Sequence, residues 1–127
     1  MLVSLQYDPD RPVDPEEWLA LDEEERIEAV RQYHRRSKIR LPNEKLHAIT
    51  HAAVESQIAS GEYPVRAALR RLMKEGLDRH EAIHAIASVL AEYMFAVIAQ
   101  ADFDFATEDY VREIERLTAA SWRKQAS

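Results

Sequence analysis

The chain has 127 residues, 46% hydrophobic and 31% charged, with a formal net charge of −6. That size suits one domain with its own core, and the acidic balance argues against a general nucleic-acid binder. Cysteine is absent, which excludes disulfides, thiolate-bound metals and thiol catalysis.

Only two glycines and five prolines occur, and no proline follows Pro64. So few turn formers point to an all-α fold of long helices, with an antiparallel bundle of about five helices as the expected architecture. The opening stretch, MLVSLQYDPDRPVDPEE, has too short an apolar run and too early an acid for a signal peptide. No run reaches the ~18 apolar residues of a membrane span. The expectations are therefore a cytoplasmic protein, an extended N-terminal tail over 1–14 and a single helical domain over 15–127.

In chain order, Asp14-Pro15-Glu16-Glu17 is a helix start, with a capping residue, proline at the first position and an acid at the third. Asp22 and Glu25 repeat the signal, so a short helix over 15–20 precedes a longer one over 23–36. The stretch 16–28 holds seven acids and 31–40 holds five Lys/Arg with no acid. This order complements a helix macrodipole and needs no phosphate or RNA partner to explain it. A connection over SKIRLPN leads to a helix from Pro42 or Asn43 to about Ser60. Pro64 to Glu75 is the next helix, with Gly76 as its left-handed stop. Asp78 caps the longest helix, about 79–99, and Thr107 caps a last one to about Trp122.

Four of the five histidines form two His-x-x-x-His pairs, His47/His51 and His80/His84. Residues four apart share one helix face, so each pair can grip a single ion. Core lines drawn through Leu46, Ile49 and Ala53, and through Ile83, Ile86, Leu90, Met94 and Val97, leave both pairs on the flank between core and solvent. A site shared by two facing helices would form there. Glu55 stands one turn beyond His51. Imidazole with carboxylate suits a transition-metal ion, zinc first, with nickel, iron or manganese also matching. His34 is a secondary candidate, otherwise a cation at a helix C-terminus.

His80-Glu81-x-x-His84 also has the zinc-peptidase spacing, which would make Glu81 a general base. Glu81 equally fits a capping box with Asp78. Third ligands for a peptidase would be Asp102, Asp104 or Glu108, but no strand-forming segment offers an edge for a peptide. Glu44-x-x-His47 and Glu81-x-x-His84 match the unit of di-iron and di-manganese bundles, which need further carboxylates such as Glu28, Glu55, Glu92 or Glu113.

The segments WLALDEEERIEAVRQYH, HAITHAAVESQIASGE and RLMKEGLDRHEAIHAIASVLAEYM resemble a family of small bacterial proteins carrying a domain of unknown function. The likeness covers roughly residues 15 to 98 and rests on His47, His51, Glu55, Gln57, His80, Glu81 and His84. It implies an all-helical fold and a metal site at those histidines and the glutamate, and it implies no reaction.

Three functions follow. The first is a helical protein binding a transition-metal ion through His47, His51, His80 and His84, with Glu55 or Glu81 as a further ligand or a support for one. The second is a metal-dependent hydrolase or oxidase with Glu81 as general base. The third is a metal-free interaction module with a buried His/Glu network. In that module Tyr63, Tyr93, Phe95, Phe103, Phe105, Tyr110 and Trp122 would form an aromatic patch for a partner or for homo-oligomer formation.

Overall fold

A computed structural model describes residues 6–38, 43–62, 64–99 and 107–126. They form α1 (Pro15–Ala20), α2 (Glu23–Arg36), α3 (Glu44–Ala59), α4 (Val65–Lys74), α5 (Arg79–Ala99), α6 (Thr107–Arg116) and α7 (Ala119–Ala126). No strand occurs among the described residues, so the fold is all-α. No helix among them is long and apolar enough to cross a membrane.

Local chemistry starts and stops these helices where the sequence indicates. The Asp14 carboxylate accepts the Glu16 N–H at the head of α1. Asp22 and Glu25 form a complete capping box on α2, each side chain accepting the other's main-chain N–H. Asn43 accepts the Leu46 N–H to open α3. Gly76, at φ 109°, ends α4, and the Leu77 N–H returns to the Leu72 carbonyl in a Schellman-type closure. The basic end of α2 is occupied within the fold: Arg31 and Arg35 pair with Glu44, and Arg36 donates to the Tyr7 carbonyl.

The expected single helix over 107–122 is two helices. Leu117 turns into the core, and Arg71 donates to the carbonyls of Ile114 and Leu117 that the break leaves free. Thr118 and Ser121 then exchange main-chain to side-chain hydrogen bonds and open α7.

Helix α3 is the axis of the molecule, packing on α1, α2, α4 and α5. Two apolar clusters share it. One joins α3 to α4, α5, α6 and α7 around Leu72, Ile83, Ile86 and Ile114, and the other joins it to α1, α2 and Tyr7 around Trp18 and Val30. A helix enclosed on so many sides has no single core line. Leu46, Ile49 and Ala53 are only half-buried, whereas Ala48, His51, Ala52, Val54 and Glu55 are fully enclosed. Small residues at 48, 52, 82, 85 and 87 let the helices approach closely.

Of the aromatic residues expected to form a patch, Tyr63, Phe103 and Phe105 lie outside the described residues. Tyr110 is buried and donates to Gln57, and Phe95 is exposed.

Gly76 tests the α4 stop. A Cβ there would meet the Arg123 guanidinium at 3.2 Å, on a backbone that L side chains rarely adopt. Gly76→Ala should lower stability by about 1–2 kcal/mol, read as a drop in urea midpoint at unchanged slope.

Candidate metal centre

Helices α2, α3 and α5 bring all five histidines to one place. His34 comes from the last turn of α2, His47 and His51 from α3, and His80 and His84 from α5. The rings of His34 and His80 stack at 5.6 Å between centroids, and those of His80 and His84 lie 4.1 Å apart. One nitrogen from each of His34, His51, His80 and His84 falls within 4.8 Å of every other. His47 is outside that group of four, although its ring meets that of His84 at 4.4 Å. Both expected pairs meet at this place together with His34, and the close group of four nitrogens includes His34 and not His47.

Several ring nitrogens here have no hydrogen-bond partner among the described residues. His34 Nδ1 and Nε2, His47 Nε2, His51 Nδ1, His80 Nε2 and His84 Nε2 are all buried without a hydrogen-bond partner. Burial is also the leading influence on their protonation, because a charged ring in this setting loses its hydration. It takes His34 down to about 4, helped by the charges His80 and His47 would carry and opposed by Glu44. His84 falls to about 2, by burial and then by His80, His47 and His34. His51 lies well below its ordinary value, by burial and the four other rings. His47 is lowered by burial and His80. His80 is lowered by burial although Asp10, Asp78, Asp8 and Glu55 pull the other way. At neutral pH the cluster is thus a set of uncharged imidazoles with lone pairs to offer.

Behind His51 stands a second layer. Glu55, expected as a metal ligand, is outside the group of four and fully buried, with its carboxylate committed elsewhere. Its Oε1 receives Arg79 Nη2 at 2.6 Å and its Oε2 receives Nη1 at 3.0 Å, a bidentate pair in which the guanidinium is only 4% exposed. Burial works against the Arg79 charge, but the bond to Glu55 and its negative charge hold the guanidinium above its usual range. The Tyr7 hydroxyl also donates to Glu55 Oε2. Burial first, then the Glu55 charge and bond, push that phenol well above its ordinary value.

A phenol has one hydrogen to give, and here Glu55 has it. The 2.8 Å contact between Tyr7 Oη and His51 Nε2 must therefore be donated by the imidazole. That fixes the tautomer: Nε2 carries the proton, and the bare Nδ1 faces the cluster.

The non-helical segment 6–14 is bound across this layer. Its Pro9 carbonyl accepts from Arg79, and its Asp10 carboxylate accepts the His80 main-chain N–H.

Glu81 is half-buried on α5, and its main-chain N–H is received by Asp78 at 2.7 Å. Glu44 pairs with Arg31 and Arg35. Glu108 is exposed on α6, while Asp102 and Asp104 lie outside the described residues.

Sequence reasoning missed Tyr7, Arg79 and Asp10. Arg79 did leave a signal: a cation in the first turn of a helix opposes the macrodipole and calls for a specific partner. Tyr7, an aromatic among prolines and aspartates, left none.

A family model described as "Domain of unknown function (DUF1841)" matches residues 13–116. The chain belongs to that family. Neither a curated protein nor a solved structure matches it. The DUF1841 span contains all five histidines, Glu55 and Arg79, whereas Tyr7, Pro9 and Asp10 precede it and α7 follows it.

The neutral rings give the metal-free protein a defined pH response. Unfolded, these imidazoles protonate near pH ~6.5, whereas the folded rings resist protonation to lower pH. The unfolded chain therefore binds more protons below that point, and stability should fall as pH drops. The decline begins near pH ~6.5 and continues towards the folded values. Urea midpoints between about pH 7.5 and 5.5, above the main carboxylate range, should decrease steadily. A flat profile would show that the rings are not shielded from water.

Proposed function

We propose that the protein binds one transition-metal ion, zinc first among the candidates, through His34, His51, His80 and His84. The observation that supports this reading is the convergence of buried ring nitrogens that have no other partner. Buried polar atoms are nearly always satisfied, so a group of unsatisfied ones in a single place supports a ligand that would satisfy them. A hydrogen-bonded His/Glu network without metal would instead pair these nitrogens with one another or with Glu55, and Glu55 is engaged by Arg79 and Tyr7.

The donor set fits. Neutral imidazoles are good ligands for zinc, nickel and iron, at about 2.0–2.1 Å for zinc. Tetrahedral nitrogens at that distance are roughly 3.4 Å apart. The ligand nitrogens, at most 4.8 Å apart in this group, have to close by up to roughly 1.4 Å. Tyr7 presents His51 Nδ1 for binding, and Glu55 with Arg79 holds Tyr7. An ion bound there would tie α2, α3 and α5 together and act as a Lewis acid wherever a coordination position stayed open. For Glu81 as general base no specific observation speaks, since its place at the head of α5 is also accounted for as a helix start.

Protein purified without a histidine tag should carry close to one equivalent of zinc or another first-row metal by elemental analysis. Chelation should lower its melting temperature, and added zinc should restore it. His51→Ala and His84→Ala should abolish stoichiometric binding while keeping the helical circular dichroism. No stoichiometric metal, together with no thermal gain from zinc, nickel, iron or manganese, defeats the proposal.

Tyr7→Phe probes the tautomer. It removes the acceptor for His51 Nε2–H and leaves the ring otherwise in place. Zinc affinity should weaken by about 10–100-fold by competition with a chelating dye. An unchanged affinity would mean that Tyr7 does not orient the ring.

A further inference from the structure

A cleft of about 310 Å³ lies where α3, α5 and α7 meet, next to the histidine cluster. Leu46, Ala91, Phe95 and Trp122 supply apolar wall, and His47 and His84 also line it. The volume is near the lower end of the range for small-molecule sites, about 300–1,000 Å³. Three of the lining residues carry a ring nitrogen without a hydrogen-bond partner among the described residues: His47 Nε2, His84 Nε2 and Trp122 Nε1.

These atoms narrow the chemistry of an occupant. An indole N–H only donates, so its missing partner is an acceptor. The Thr50 and Ser88 hydroxyls, also on the wall, already donate to main-chain carbonyls of their own helices. Glu92 is the charged residue of the lining and is exposed, which disfavours a second negative charge on a ligand. His47 stands outside the four grouped nitrogens and touches His84, which belongs to that group and also lines the cleft.

We propose that this cleft binds a small, mainly apolar organic monoacid, its oxygen head accepting from the Trp122 indole N–H and facing His47 and His84, and its body against Leu46, Ala91 and Phe95. The head group's added contact with a bound ion rests on the metal reading above; the cleft and its indole donor do not.

The chain's two tryptophans give an internal control. The Trp18 indole is fully buried and donates to Ser56, away from the cleft. In ¹⁵N-labelled full-length protein, benzohydroxamate should shift the Trp122 indole signal saturably and leave that of Trp18 in place. Signals are assigned with Trp122→Phe. Loading with one equivalent of zinc should tighten the midpoint by about tenfold or more, equivalent to ~1.4 kcal/mol. Ala91→Phe, which fills the cleft, should abolish the shift; if that variant does not fold, the two wild-type signals decide.

A Trp122 signal that stays put with and without zinc overturns the proposal. So does equal movement of Trp18, or an undiminished response in folded Ala91→Phe. If zinc does not bind but Trp122 still responds alone and saturably, the metal reading fails and the cleft stands. If zinc binds at one per chain and Trp122 does not respond, the cleft fails and the metal reading stands.

Discussion

Five imidazoles share the space between α2, α3 and α5, and among the described residues no carboxylate or hydroxyl is hydrogen-bonded to the unpaired ring nitrogens there. An arrangement of this kind is tolerable only while the rings are neutral, because each additional charge would sit beside four similar neighbours and out of water. Much of the surrounding architecture follows from that. Alanines at 48, 52, 82, 85 and 87 bring the helices close enough for the rings to meet. Carboxylates of Asp8, Asp10 and Asp78 stand near His80 rather than inside the cluster, and there they lend the site a negative field without occupying it.

The layer behind the cluster has a different character. Glu55 and Arg79 form a fully enclosed ion pair, and such pairs rarely add much net stability, since removing both ions from water offsets most of their attraction. Their value lies in direction. The guanidinium holds the carboxylate in one orientation, the carboxylate takes the phenolic proton of Tyr7, and the phenolic oxygen then accepts from His51. Each link determines the protonation of the next, and the chain of links ends on a ring nitrogen left bare by elimination. A neutral apolar replacement of the pair could pack equally well and would lose that instruction.

The fold was largely legible because its helix boundaries are written in local chemistry: Asp14-Pro15, Asp22 with Glu25, Asn43, Gly76 and Asp78 all act within four residues of themselves. Thr118-x-x-Ser121 is the same kind of signal, obscured because the helical periodicity of 107–116 runs towards it and Leu117 is apolar. The site was legible in part. His-x-x-x-His spacing places two rings on one face whatever the tertiary structure, so His47, His51, His80 and His84 could be named. Which four nitrogens come closest depends on helix rotation, and periodicity misjudges that rotation for α3, a helix enclosed by four others. His34 gains its place from that rotation. Glu55 is one turn beyond His51 in sequence, yet the ion it meets is the guanidinium of Arg79, 24 residues away.

The Glu55–Arg79 pair also bears on how the protein assembles. Helices α1, α2 and α3 contain one apolar cluster nearly complete, and by composition it could pack before α5 arrives. In that partial state Glu55 would lack its countercharge, and His34, His47 and His51 would face the gap that α5 fills. Docking of α5 brings Arg79 to Glu55 and adds His80 and His84 to the other three rings. The Glu55–Arg79 bond thus links α3, which both apolar clusters share, to α5, which belongs to one of them.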